Sequence, residues 1–347
     1  MRITRRYYRC RHCRTTQTPW DAWAGVGADH LTPHVRRVVV LSGTSWSFDM
    51  ASARLRELCG IRVSADLIRR VTNAAGQRAQ EWQSQGKDSG ADFRNAGGEV
   101  EFYTDGTCVN TRTGWREMRL SVFAKRGRGK PATPAEWATR KLPKPAARVA
   151  FGGIRPAEAC GPQWGARARQ LGLDPERTAI TALADGAKWI WKQVAAHLPK
   201  GECVVDVFHV SEHLHACGRV LHGERTPAAR GWAAERLLQL LHHGPLQVLA
   251  ALRAERRGQR SPKKRRALRE LMNYLTPNVD GLWYRERLAR GQPIGSGLIE
   301  GACKTVVGRR LKHGGARWLV PRVENVAALC CLLYSDEWET FWKADAA

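Results

Sequence analysis

The chain has 347 residues, 57 of them Lys or Arg against 32 Asp or Glu, for a formal net charge of +25. Its 43% hydrophobic content supports a core, and its length fits one large domain with appendages or two to three small ones. No apolar run of about 18 residues exists, which excludes a membrane-spanning helix, and the start MRITRRYYRCRHCR lacks the apolar stretch of a secretory signal. The cationic surplus calls for an anionic partner. Because the basic residues are spread over several segments and not gathered beside an amphipathic anchor, that partner reads as nucleic acid and not a membrane.

Residues 1–30 are basic, then rich in Trp and Gly. Cys10 and Cys13 have the spacing of one zinc knuckle. A second pair is missing, and His30 and His34 are distant and separated by Pro33, so a closed four-ligand zinc site within this chain is not expected. The other cysteines sit singly in apolar segments, or adjacently as Cys330 and Cys331, and read as reduced packing thiols. Segment 31–96 reads as a helix-turn-helix-like DNA-binding region, helical over 31–83. Ser47 and Ser64 suit helix N-caps and Gly60 a helix stop. Met50, Ala51, Leu55 and Leu58 make one apolar stripe, and Ala65, Ile68, Val71 and Ala75 another. The helices at 47–58 and 64–78 read as a helix-turn-helix that points Arg62, Arg69 and Arg70 at a major groove, with Arg36 and Arg37 adding phosphate contacts. The alternative is a plain helical hairpin packed on the core.

The pattern changes across 97–208. Alternation predicts strands at 99–104 and 117–124. Segment 125–147 carries KRGRGKP and RKLPKPAAR and reads as a flexible basic connection or an exposed hairpin excursion. A short strand at 148–152, a helix at 156–171, a strand at 178–184, a helix over DGAKWIWKQVAAHL and a strand at 202–208 follow. That order predicts a mixed α/β layer fold. Segment 209–290 is helical throughout. It includes consecutive Lys263, Lys264, Arg265 and Arg266, which cannot share one helix face and make the strongest phosphate patch. Segment 291–347 holds the loop GQPIGSG, a helix bearing Glu300, basic Arg309, Arg310, Lys312 and Arg317 placed to hold a DNA backbone, Trp318 as a core residue or, in the alternative, a stacking platform for an unpaired base, and a last helix at 323–335.

Three acids stand out. Asp105 ends a predicted strand in EVEFYTDGT, Asp185 ends another in TAITALADGAKW, and Glu300 opens a helix in PIGSGLIEGACK. The Gly after each Asp would let the chain turn sharply. Carboxylates converging from strand ends and a helix can hold two Mg²⁺ ions about 3.5–4 Å apart, the clamp that phosphodiester chemistry needs. Each acid also has a plain reading. Asp105 suits a turn, Asp185 can cap the following helix, and Glu300 can pair with Lys304 at i,i+4. Asp206, in VVDVFH before His209, competes with Asp185 for the second position.

The motifs YTDGT with GWREMRLSVFAKR, LADGAKWIW, VVDVFHVSEHL, PIGSGLIEGACK and RRLKHGGARW resemble Mutator-like DDE transposases. More narrowly they are similar to bacterial insertion-sequence transposases of the ISKra group. The likeness runs from residue 31 to the C-terminus and is most specific in PIGSGLIEGACK and RLKHGGARW. It implies an RNase H-like mixed sheet with flanking helices, an all-helical insertion and an N-terminal helix-turn-helix-like region. It implies Asp105, Asp185 and Glu300 as catalytic ligands of Mg²⁺ (Mn²⁺ substituting), and a metal-oriented water as first nucleophile. It makes Asp206 and His209, which match a recurrent Asp-or-Cys then His motif, near-site supports. The implied activity is cleavage at element ends followed by strand transfer. Inverted-repeat ends and target DNA are the implied partners, with a homo-oligomer assembling on DNA in the bacterial cytoplasm at the nucleoid. In that family a second knuckle commonly precedes the first, so missing upstream sequence is the corresponding expectation. A nuclease or resolvase that cuts without joining, or a decayed DNA-binding relic, are the rival readings.

Overall fold

The structure is a computed structural model and describes residues 5–344. Two short strands, β1 (Tyr8–Arg9) and β2 (Thr16–Gln17), pair antiparallel around the Cys10–Cys13 turn. Helices α1 (Pro19–Trp23), α2 (Pro33–Ser45), α3 (Phe48–Cys59) and α4 (Ala65–Gln85) follow. Their starts obey capping chemistry. Thr32 accepts from Val35 N–H, Ser47 from Met50 N–H and Ser64 from Leu67 N–H, each bond stabilising by about 1 kcal/mol. Gly60 ends α3 at φ 66°, the left-handed conformation that favours glycine.

Next come α5 (Ala91–Asn95), β3 (Glu99–Thr111), β4 (Gly114–Arg126), β5 (Ala147–Gly153), α6 (Ala157–Gln170), β6 (Ile180–Ala184), α7 (Lys188–His197) and β7 (Gly201–Val205). A run of helices follows: α8 (Val207–His222), α9 (Pro227–His243), α10 (Pro245–Gly258), α11 (Pro262–Leu275) and α12 (Tyr284–Ala289). Pro opens α9, α10 and α11, where its missing N–H costs nothing, and so breaks one long helical pattern into separate helices. The chain continues through α13 (Gly297–Ala302), a π-helical turn at Cys303–Gly308, α14 (Arg309–Leu311), α15 (Val320–Tyr334) and α16 (Trp338–Ala344).

These elements form two compact units. One joins the residues up to Ser89 with 109–115 and the residues from Thr305 onward. Its core lies along α4, whose Ile68, Val71, Ala75 and Ala79 recur at helical spacing and join Val39, Val40, Leu329, Leu332 and Phe341. Gly76 permits the approach of α4 to α15, since a Cβ there would lie 2.3 Å from the Asn325 carbonyl oxygen. Gln80 Nε2 donates to Asn325 Oδ1 at 2.7 Å beside it.

The other unit holds residues 90–108 and 116–304. Its five-stranded sheet has the order β5-β4-β3-β6-β7. β4 and β5 run antiparallel, whereas β3, β6 and β7 run parallel, so the fold is mixed α/β, as the element order predicts. Phe102, Phe123, Phe151, Ile180 and Ala182 pack on one side with Trp164 of α6 and Ile190 and Val194 of α7. On β3 the alternate residues carry a buried ionic cluster. Glu101 accepts from Arg126 Nε at 2.9 Å and from Tyr103 O–H at 2.8 Å. Burial pushes the Glu101 carboxyl above its usual range although Arg126 pulls it back. Among the described residues no helix is long and apolar enough to cross a membrane.

The structure corrects several expectations. β3 extends to Thr111, so Asp105 lies inside a strand and not at its end. Gly106 marks no turn. Its missing side chain instead leaves room for Glu117 on β4, whose Oε1 a Cβ would meet at 2.3 Å. β7 stops at Val205, and Asp206 caps α8. Segment 125–147 is no free excursion, because Gly129 N–H donates to Gly291 O at 2.9 Å and Ala132 N–H to Leu288 O at 3.0 Å. The compact units also cut across the segment boundaries read from the sequence. Glu300 stays with the sheet, and the residues from Thr305 onward belong with the N-terminal helices.

Candidate acidic active site

Strand register brings three acids together. Tyr103 pairs with Leu183, and Ala184 with Val205, in the parallel ladders. Carrying the first ladder on by two residues sets Asp105 level with Asp185. Carrying the second on by one sets Asp185 level with Asp206. Asp206 N–H still donates to Ala184 O at 2.8 Å. Side chains alternate along strands, so Asp105 shares the face of Glu101 and Tyr103, and Asp185 that of Thr181 and Leu183, opposite the aromatic core. Neighbouring strands lie about 4.8 Å apart, which makes the three acids direct lateral neighbours.

All three border one cavity of about 200 Å³, together with His209, Ser296 and Glu300. Burial pushes the Asp105 carboxyl above its usual range. A hydrogen bond from Gly106 N–H opposes this, the Asp185 and Glu300 charges add to it, and His209 opposes it again. The cavity therefore concentrates negative charge in a chain with a large positive surplus.

Asp185 Oδ1 accepts from Ala187 N–H at 2.9 Å, an Asx-type turn. It does not cap α7, whose N-cap is Ala187. Gly186 takes φ +90° here and lies against Asn278. The Asp185 carbonyl accepts from Tyr274 O–H at 2.8 Å. Tyr274 is itself fixed: its ring stacks on His213 at 3.8 Å, and its carbonyl accepts from Asn278 Nδ2 at 2.9 Å. Asn278 Oδ1 accepts from Trp191 Nε1 at 2.7 Å. The end of α11 and the turn after it thus brace the second acid.

Asp206 holds the third. Its Oδ1 accepts from Phe208 N–H at 3.2 Å and Ser296 N–H at 3.0 Å, and its Oδ2 from Ser296 O–H at 2.7 Å. Ser296 is the residue before α13, so this buried carboxylate fixes the start of the helix that carries Glu300 one turn later. Asp206 thus has its carboxylate engaged by Ser296, whereas the Asp185 carboxylate accepts from the nearby Ala187 N–H. Glu300 also forms the surface pair with Lys304, at 3.0 Å; both groups are exposed, and such pairs contribute about 0–1 kcal/mol. His209 Nδ1 lies 3.5 Å from Glu212 Oε2. The neighbouring His213 has its pKa lowered, first by burial and then by His209.

The remaining predicted residues lie elsewhere. Cys10 and Cys13 are exposed, and hydrogen bonds, chiefly from Thr15, lower the Cys13 thiol to about 7. Among the described residues no three His, Cys, Asp or Glu side chains close into a metal-holding group, at the knuckle or in the acidic cavity. Arg62 is exposed, while Arg69 and Arg70 both engage Asp66. Lys263, Arg265 and Arg266 are exposed on α11, Lys264 is half-buried, and Arg266 pairs with Glu270 at 2.7 Å. Arg309, Lys312 and Arg317 are exposed. Arg310 is not a free phosphate contact: it is buried between the Phe48 and Trp318 rings and donates to Gly43 O at 2.9 Å. Burial lowers its pKa to about 10. Trp318 is a core residue whose Nε1 donates to Leu311 O at 2.9 Å.

Sequence reasoning missed Tyr274, Asn278 and Ser296. Ser296 had a weak signal as the centre of GSG, while Tyr274 and Asn278 had none, being polar residues inside an amphipathic helical stretch. Compared with known proteins, the chain matches no family model and no curated protein.

Proposed function

We propose that this chain is a DDE-type DNA transposase whose sheet is an RNase H-like core. The reading rests above all on one observation: Asp105 in β3 and Asp185, the residue after the paired parallel strand β6, border one cavity with Glu300. Asp105, Asp185 and Glu300 would hold Mg²⁺, or Mn²⁺ in its place. The donor set fits, because it is all oxygen and a hard cation that keeps several waters needs only one or two carboxylates at a time. The raised Asp105 pKa, to which like charges contribute, is a tension that a cation relieves. Bound there, the metal supplies charge stabilisation and an activated water to the phosphodiester.

The chain's own residues set the geometry. Tyr274 fixes the Asp185 turn, Asp206 fixes the start of the Glu300 helix, and His209 stands at the rim as a hydrogen-bond donor for a phosphate oxygen. Lys263, Lys264, Arg265 and Arg266 on α11 give the polyanion a landing surface, and the other compact unit carries its own exposed cations at Arg62, Arg309, Lys312 and Arg317. DNA ends and target DNA are the partners, a homo-oligomer on DNA is the working form, and the bacterial nucleoid is the setting. The zinc reading of Cys10 and Cys13 stays outside this proposal.

The test is incubation with Mg²⁺ and duplexes carrying the DNA that flanks its gene, with Asp105→Asn, Asp185→Asn and Glu300→Gln as controls. Nicking followed by joining to a second duplex supports the reading. Nicking without joining makes the protein a nuclease or resolvase. Metal-independent binding with no nicking makes it a DNA-binding relic.

A further inference from the structure

Segment 127–146 contributes no strand to the sheet, yet it is held in place. Besides its backbone bonds to Leu288 and Gly291, Arg140 Nη2 donates to Gln292 O at 2.8 Å. Its middle folds into a short turn at Pro134–Glu136, closed by a reciprocal Thr133–Glu136 capping box. A segment tied this way presents its side chains in fixed directions. On one side, Lys130, Arg140 and Lys141 border an open cavity of about 700 Å³. From the same turn, the Trp137 ring lies 5.6 Å from the Phe208 ring, tilted by 51°. Phe208 belongs to the acidic cavity, two residues after Asp206, and it is half exposed. The pair therefore leaves a half-exposed aromatic face bordering a polar cavity.

Phosphates and carboxylates repel, so the acidic cavity can take a phosphodiester only with a cation present. The aromatic pair offers something different: a π surface for a nucleobase, with cations on the same segment for the phosphates of the same strand. Aromatic platforms beside a positive groove are how unpaired strands are held. In a duplex both faces of each base are already covered by its neighbours. We infer that segment 127–146 with Phe208 forms a single-strand subsite of the acidic cavity, in which Trp137 and Phe208 stack an unpaired base and the exposed Lys130 and Lys141 hold the adjoining phosphates. The inference rests on the nucleic-acid reading of the cavity and adds that the DNA is opened there.

The experiment uses the full chain in EDTA, so that only binding is read, with a single-stranded oligonucleotide carrying one 2-aminopurine and a duplex of the same sequence. Stacking quenches 2-aminopurine fluorescence. Trp137→Ala is expected to abolish the quench and weaken single-strand binding about tenfold while duplex binding changes less than about twofold. Trp137→Phe should restore most of the quench, which a merely structural role would not. Lys130→Ala with Lys141→Ala should weaken single-strand binding and flatten its salt dependence. An unquenched probe on the wild-type protein, or equal losses for single strand and duplex, overturns the subsite. A quench in a protein that never nicks DNA in Mg²⁺ keeps the subsite and overturns the transposase reading.

Discussion

Replacing Asp206 tests whether this acid is a support for Glu300. Its carboxylate receives three hydrogen bonds, from Phe208 N–H, Ser296 N–H and Ser296 O–H. Asp206 and Ser296 are both largely buried, so water from the cavity replaces these bonds only in part. Bonds to a charged acceptor contribute about 1.5–3 kcal/mol each, and the three share one group and do not add fully. Asp206→Ala should therefore destabilise the sheet unit by about 3–5 kcal/mol, including the cost of leaving the Ser296 groups unpaired. Asp206→Asn keeps the shape and one acceptor, and its amide can donate to Ser296 Oγ, so about 1–2 kcal/mol is expected. Amide hydrogen exchange reads this locally: protection at Phe208 and Ser296 should fall first, with the Ala variant below the Asn variant. If the start of α13 drifts by about 1 Å, Mg²⁺-dependent nicking should fall about 100-fold even in the Asn variant. An Ala variant with wild-type exchange at Ser296 would refute the support role.

Other perturbations bear on the remaining parts. The folded-state pKa of Asp105 is raised, so its contribution to stability is full below the unfolded value, about 3.9, and is lost as pH climbs through the folded value. Asp105→Asn should thus raise the melting temperature of the metal-free protein at neutral pH and change nothing near pH 3; a lower melting temperature at neutral pH would contradict the crowding of charge. Adding Mg²⁺ should stabilise the wild type and not this variant, as read by the same melts. Tyr274→Phe removes the bond to the Asp185 carbonyl and should cost about 1 kcal/mol, with a weaker Mg²⁺ response in titration. Lys263→Ala with Arg265→Ala should lower the slope of log affinity against log salt by about 1–2 on duplex DNA. Arg310→Ala should lower the stability of the helical unit, measured by denaturant unfolding, and leave that slope unchanged.

Local chemistry made much of the fold legible. The caps at Ser47 and Ser64, the stop at Gly60 and the alternation in EVEFYT each depend on a few adjacent residues, and each element starts where expected, although α4 runs on to Gln85 and β3 to Thr111. The ends of β3 and β7 were misread because Gly106 looks like a turn glycine, whereas its task is to clear Glu117 on the next strand. Asp206 looks like a strand residue until its carboxylate meets Ser296, 90 positions away. Arg310 reads as one more cation in a basic run, and only the packing of Phe48 and Trp318 around it shows it is buried. For Asp105, Asp185 and Glu300 the residue types and surroundings were visible. The approach of Asp105 to Asp185 depends on strand pairing, and that of Glu300 on the Asp206–Ser296 bonds, which no local pattern records.

That alignment has a consequence for how the chain tolerates insertions and deletions. The acids hold their mutual places through ladder pairing, so the lengths of the connections between β3, β6 and β7 are free to vary. A residue gained or lost inside a strand is another matter. With a side-chain period of two, one deletion between Glu99 and Asp105, or within β6, would send its acid to the aromatic face of the sheet. Viable variants of this chain should therefore concentrate their length changes outside these strands, and a one-residue frame change inside them should remove activity while leaving most of the helices folded.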